Sequence, residues 1–357
     1  MRPDEVDHAV AELLSGPRGR RLCLLLAGRA GYDVSVALMQ LAQELDPQPG
    51  STRTIALARI SDREVPALPD PLSVEEFARL LPYRASRTLT AEEIGNALDE
   101  AVGNARYWQL PDGEDVLAAH PAVRTALEPV ARALLSSSHT ADWQDPAALR
   151  QWRVAWDGSR PRGLPVPQLL QEWADHTRAD EHRSRSQRDA DPHARYSGEW
   201  WSVPAGLPSS VGVGPRGFDL VEDHLGWVTA TVIPLDLEGR RVLELRTAED
   251  WAVLCRAHPI DVSASRRHDW FRTTGRDGAW VLPDWQAVSA EWDAVHLSVS
   301  AYLALAGRVI PIDDERASLI AGWSPDTTFW LSEPPRSDAP AEQWRRGDSG
   351  GAWVRVR

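Results

Sequence analysis

The stretch WVTATVIPLDLEGRRVLELRTAEDWAVLCRAH, residues 227–258, decides the fold class. WVTATVIPL and RRVLEL are β-branched runs set off by proline and glycine, the composition of strands. They lead into TAEDWAVLCRAH, where Thr247 and Asp250 have the spacing of a capping box that opens a helix. Strands interleaved with short helices predict an α+β domain. DAVHLSV, ASLIAGW and TTFWLS extend the strand pattern toward the C-terminus. PDWQAVSAEW supplies a second short helix, starting at Asp284 or Pro283. No internal repeat accompanies the tryptophans, which excludes a propeller or solenoid.

Upstream, apolar residues recur at helical intervals. VDHAVAELL and YDVSVALMQLAQEL read as amphipathic helices. Thr90 and Glu93 form a capping-box pattern that predicts a helix over Ala91 to Arg106. AVRTALEPVARALLSS is interrupted by Pro129, which kinks or divides a helix. QLLQEWADHTRADEHR follows Pro167, a residue suited to a first helical turn. Its polar end runs into a stretch without apolar periodicity. The resulting division is a mostly helical domain over 1–182, a linker or mobile loop over 183–196, and a Trp-rich α+β domain over 197–357 with a split antiparallel-type sheet.

Composition narrows the function classes. A net charge of -13 argues against a nucleic-acid partner held by bulk electrostatics, because phosphate binding needs a cationic face. All 39 basic residues are arginine, so Schiff-base and P-loop lysine chemistry is excluded. Cys23 and Cys255 each sit in an apolar helical-looking run and read as buried free thiols, which leaves no thiolate cluster for a metal. His268, Asp269 and His296 lack zinc-ligand spacing, so no metal is expected. The N-terminus carries acids where a signal peptide needs bases, and no apolar run reaches the ~18 residues of a membrane span, giving a cytoplasmic reading with no membrane partner.

The string GDSGG at 347–351 has the letters that surround a chymotrypsin-type nucleophile. A nucleophilic Ser349 needs a histidine base, an orienting aspartate and a barrel wall downstream. Only AWVRVR follows, and the first half is helical, so the string reads as a glycine turn before a final strand.

Three polar clusters in the second half are candidates for chemistry: YSGEWWSVP at 196–204, SRRHDWFRTTGR at 265–276 and WDAVHLSVSAYL at 292–303. In the third, strand alternation puts His296 and Ser298 on one face and Asp293 on the other. The pair either lines a cleft or lies on the solvated face of an edge strand. In the second, Arg266, Arg267, Arg272 and Arg276 surround His268, with Thr273, Thr274 and Gly275 as a turn. As a loop, this cluster suits an anion or is simply solvated and paired with Asp269 and Asp277. Twelve of the 17 tryptophans lie from Trp200 onward, either as core or as a stacking wall for a planar ligand.

The order of the blocks SGEWWS, VLELRTAEDWAVLC, LPDWQAVSAEWDAVHLS and AGWSPDTTFWL resembles a family of uncharacterised actinobacterial proteins. It also resembles phage and bacterial proteins with an ADP-ribosyltransferase-like split sheet. The resemblance covers roughly 197–331. It implies binding of NAD or a related nucleotide, with Ser202 as the serine after the tryptophan and Trp200 and Trp201 beside the nicotinamide. His268, Arg272, Thr274 and Ser298 complete the implied nucleotide site. His296 stands where those enzymes carry a glutamate, so either another carboxylate such as Asp293 or Glu291 does its work or the domain binds without reacting. The helical half would select a protein partner. The alternative is a non-catalytic immunity or adaptor factor with a Trp-rich binding surface.

Overall fold

The computed structural model describes residues 3–28, 31–48, 70–81, 88–156, 163–212, 215–222, 227–335, 339–347 and 351–356. It is a mixed α+β protein, with a helical N-terminal region and two mixed sheets in the C-terminal region.

The helical region comprises α1 (Pro3–Ser15), α2 (Pro17–Gly28), α3 (Tyr32–Leu45), α4 (Val74–Leu80), α5 (Ala91–Gly103), α6 (Gly113–Ala119), α7 (Pro121–Ala126) and α8 (Glu128–Leu135). The Thr90–Glu93 capping box opens α5: the hydroxyl accepts the Glu93 amide while the carboxylate accepts the Thr90 amide. Pro129 divides rather than kinks, with α7 ending and α8 beginning around Leu127. Cys23 and Cys255 are buried free thiols, and burial pushes each up to about 12.

One strand lies inside the half whose periodicity predicts only helices. β1 (Arg150–Trp156) pairs along its whole length with β3 (Thr229–Asp236) and at Trp152 with β2 (Ser209–Val211). Beyond it runs α9 (Val166–Gln187), whose first amide is capped by the Glu333 carboxylate at 2.7 Å. Where composition predicts a linker from residue 183, the helix continues to Gln187. Its end is pinned by Arg188, which donates to the Ser265 carbonyl and stacks 4.1 Å over the Tyr196 ring.

The remaining elements are β4 (Val242–Leu245), α10 (Ala248–Ala257), β5 (Pro259–Asp261), α11 (Arg267–Thr274), β6 (Ala279–Pro283), α12 (Trp285–Val288), β7 (Ala294–Leu297), α13 (Val299–Leu305), β8 (Ile310–Pro311), β9 (Arg316–Ser318), β10 (Thr327–Trp330), β11 (Glu342–Gly347) and β12 (Gly351–Arg355). The larger sheet has the order β12-β11-β3-β1-β2-β10-β7-β4, antiparallel except for β4 and β7. The smaller has the order β5-β6-β9-β8, with β6 and β9 parallel. Thr247 and Asp250 form the expected box at α10.

A single cluster of buried side chains runs from α1 and α2 through α10, α12 and α13. α1 and α2 turn at Gly16, where a Cβ would lie 2.2 Å from the Leu303 carbonyl oxygen, so the corner sits directly on α13. Nine of the 17 tryptophans are buried, and six of them, Trp251, Trp270, Trp280, Trp285, Trp323 and Trp330, completely. A second aromatic cluster, with Trp156 stacked on Trp227 at 5.1 Å, lies toward the β12 edge. Ser349 lies outside the described residues, between the two strands β11 and β12 that pair as a hairpin. No helix among the described residues is long and apolar enough to cross a membrane.

Candidate functional site

Residues 199–205 have no helix or strand, yet alternation still sorts their side chains. Glu199, Trp201, Val203 and Ala205 line a groove, Val203 as a buried residue at its floor, while Trp200, Ser202 and Pro204 turn into the core. Facing them on α9 are Glu172, Trp173 and His176, brought to one side by helical spacing. The groove encloses about 300 Å³.

Its aromatic wall is the open end of a stack. Trp200 lies between Trp108, at 4.7 Å, and Trp201, at 4.5 Å, and Trp201 remains 38% exposed. The backbone behind that wall is tightly held. Trp270 Nε1 donates to the Trp200 carbonyl at 3.0 Å and Trp285 Nε1 to the Ser202 carbonyl at 2.9 Å. Gly322 backs the exposed ring: its φ is 75°, and a Cβ there would meet Trp201 Cδ1 at 2.3 Å. Only glycine fits that position without displacing the wall.

The acidic side of the groove is also organised. Glu199 Oε2 lies 3.3 Å from Arg266 Nη2, and its Oε1 lies 3.3 Å from His176 Nε2. Arg266 is buried, and burial lowers its pKa against the raising effects of Glu199 and Asp180. Glu199 is thus half-compensated from behind, whereas Glu172 is exposed on α9 and receives a hydrogen bond from Gln168 Nε2 at 2.9 Å.

The residues singled out in the sequence fall into two groups. Around the 196–202 segment sit Trp200, Trp201, Ser202, His268, Arg272 and Thr274. Ser202 is 0% exposed, and its hydroxyl donates to the Ala321 carbonyl at 2.9 Å while accepting the Ala321 amide at 3.0 Å. Both of its hydrogen-bonding roles are spent on the fold, which removes the geometric basis for a reacting hydroxyl. The arginine cluster is a helix, α11, rather than a loop, and ends at Gly275 with φ 73°. Arg272 donates to the Trp108 carbonyl at 2.8 Å and the Tyr196 carbonyl at 2.7 Å, and pairs with Asp269. Asp269 in turn accepts from Ser197 Oγ at 2.9 Å and the Gly198 amide at 3.0 Å. Thr274 Oγ1 donates back to the Trp270 carbonyl at 2.6 Å. His268 is buried beside Tyr196, and burial together with Arg267, Arg188 and Arg272 lowers its pKa. These side chains hold the wall in place, and of the six only Trp201 lines the groove.

The second group lies on and around β7. His296 is neither in a cleft nor on a solvated edge: it is 0% exposed on a strand flanked by β10 and β4. Its Nδ1 lies 2.8 Å from Glu244 and its Nε2 3.2 Å from Asp326. Each carboxylate also accepts a backbone amide, Glu244 from Ala147 at 2.9 Å and Asp326 from Gly212 at 3.1 Å. Burial alone would lower the imidazole pKa, but hydrogen bonds to Asp326 and Glu244 and their charges outweigh it and raise the pKa. The unit is an ionic staple across the sheet, with both ring nitrogens occupied. Ser298 does not extend β7; its hydroxyl accepts the Ala301 amide at 3.2 Å and caps α13. Asp293 accepts the Arg241 amide at 2.9 Å. Burial opposes its charge, yet the Arg241 amide and guanidinium hold its carboxyl below the usual range. Glu291 faces His258 at 3.3 Å.

A third arrangement is absent from the sequence reading. Glu222 Oε1 accepts from Tyr302 Oη at 2.8 Å and from Tyr107 Oη, and its backbone amide donates to Ser324 Oγ at 3.3 Å. Burial pushes this carboxyl up to about 7, against the opposing hydrogen bonds from Tyr107 and Tyr302, the charge of Arg18 and the Gly322 amide. Nothing local announces Glu222, because its tyrosine partners are 115 and 80 residues away in sequence. Glu172, Trp173 and His176 carried a weak signal: three recognition-type side chains within one helical turn.

Among the described residues, no group of three His, Cys, Asp or Glu side chains is placed to hold a metal ion. Compared with known proteins, the chain matches no protein-family model, no curated protein and no solved structure.

Proposed function

We propose that the chain is a non-catalytic recognition protein whose groove between α9 and residues 199–205 takes a guanidinium group presented by a partner protein. The observation that carries this reading is the pairing of two indole side chains, Trp201 at 38% exposed and the part-buried Trp173, with two carboxylates, Glu172 and Glu199, around about 300 Å³ of space. A cation over an indole face is favoured by the ring quadrupole, and a carboxylate fork matches a guanidinium fork. The volume sits at the small end of ligand pockets, which suits a side chain better than a dinucleotide. The net charge of -13 adds long-range attraction for a cationic partner.

NAD binding with ADP-ribosyl transfer is the competing reading. It draws less support, since the Ser202 hydroxyl, Arg272 Nε and Nη2 and both His296 ring nitrogens are spent on the fold and a pyrophosphate in the groove would meet Glu172 and Glu199. Tryptophan emission followed during titration separates the two. Nα-acetyl-argininamide is expected to shift the emission saturably, and NAD is expected to leave it unchanged. A saturable response to NAD alone would reject the cation groove in favour of the nucleotide.

A further inference from the structure

The groove wall and the buried Glu222 carboxyl share two neighbours. Gly322 is one: its backbone packs against Trp201, and its amide faces the Glu222 carboxyl. Tyr107 is the other: its hydroxyl donates to Glu222, and its ring lies 5.7 Å from Trp200, which stacks directly on Trp201. Ser324, two residues beyond Gly322, accepts the Glu222 amide. Contacts therefore lead from one carboxyl to the exposed indole by two routes, each a single residue or ring pair long.

We propose that Glu222 is a proton switch for the groove: with its proton in place the Trp201 wall is set for a cationic side chain, and loss of the proton weakens binding. The inference rests on the groove being the binding site. Among the described residues, few charged and titratable groups face Glu222. Arg18 comes from α2, Tyr302 from α13 and Tyr107 from the loop after α5, while the 321–324 segment offers the Gly322 amide, and the Ser324 hydroxyl accepts the Glu222 backbone amide. Arg18 is already committed to Asp115 and to the Ala101 carbonyl. An ionised carboxylate in this core is stabilised chiefly by drawing its donors inward. Two of those donors, Tyr107 and the Gly322 amide, belong to residues that pack on Trp200 and Trp201, so ionisation moves the wall. Burial sets the proton affinity of Glu222 so that this exchange falls close to neutral pH.

The test is the affinity for Nα-acetyl-argininamide, whose guanidinium stays charged throughout, between about pH 6 and about pH 8. In the wild-type chain, affinity is expected to fall roughly three-fold or more over that interval. Glu222→Gln, a neutral isostere, is expected to keep the low-pH affinity at both ends. His176→Gln controls for the imidazole in the groove and should retain the step. Tyr107→Phe removes a donor that favours the ionised carboxyl, so it should move the midpoint upward. An unchanged pH profile in both Glu222→Gln and Tyr107→Phe would overturn the switch. If the probe binds at no pH, the groove reading fails. The switch is then judged without ligand, from a pH-dependent tryptophan emission change present in the wild type and absent in Glu222→Gln; a wild-type emission flat across the interval would remove it.

Discussion

Ser202 and Ala321 are joined by three hydrogen bonds: the Ser202 amide and hydroxyl both donate to the Ala321 carbonyl, and the Ala321 amide donates to the hydroxyl. This double lock clips the groove-lining segment to the one that precedes β10. Ser202→Ala leaves a buried amide without its acceptor, so a loss of about 1–3 kcal/mol in chemical denaturation is expected. A wild-type stability in this variant would contradict the lock.

Gly322 stands directly behind Trp201, at a φ of 75°. Gly322→Ala adds a left-handed strain and a methyl 2.3 Å from the indole edge, so the ring must shift. The expected cost is about 1–3 kcal/mol, together with altered tryptophan emission. Emission identical to wild type would mean that the wall does not depend on this contact.

The three-residue unit Glu244, His296 and Asp326 gives stability a pH dependence. Its imidazole binds a proton more tightly when folded than when unfolded. The contribution is therefore full below the ordinary value of 6.5 and is lost as pH rises through the raised folded value. Denaturation midpoints should fall on that rise, and His296→Gln should remove the slope. A slope that survives the substitution would assign it elsewhere.

Glu222 acts over a lower window with the same sign. Its carboxyl is raised from 4.5 to about 7, so the folded chain holds a proton that the unfolded chain has released. Stability should decline as pH rises from 4.5 to about 7, and Glu222→Gln should flatten that limb alone. Because the two windows differ, single variants separate the carboxyl from the imidazole.

Much of the architecture was legible because its signals are local. Capping boxes at Thr90 and Thr247, the proline break at Pro129 and the β-branched runs each depend on neighbours within a few residues. β1 was not, since Arg150–Trp156 is a strand only because β3 and β2, far along the chain, flank it. The arginine cluster is legible only in part: its spacing leaves an anion cradle and pairing with Asp269 both open, and Arg272 does pair with Asp269, whereas Glu199 and the Trp108 and Tyr196 carbonyls reach it from far along the chain. Alternation offers His296 only a cleft or a solvated edge, whereas it is buried between β10 and β4, because the carboxylate partners that make burial tolerable lie 52 and 30 residues away. The groove was half legible. Trp201 stood out in the paired indoles, whereas its facing residues on α9 have no sequence link to it.

The most direct measurement of the central claim is calorimetric titration of the wild-type chain and Trp201→Ala with Nα-acetyl-argininamide and with its citrulline counterpart, which keeps the shape and lacks the charge. The recognition reading expects saturable heat only for arginine on the wild-type chain, with at least a ten-fold loss, about 1.4 kcal/mol, in Trp201→Ala. Equal binding of arginine and citrulline, or full affinity in Trp201→Ala, would contradict it.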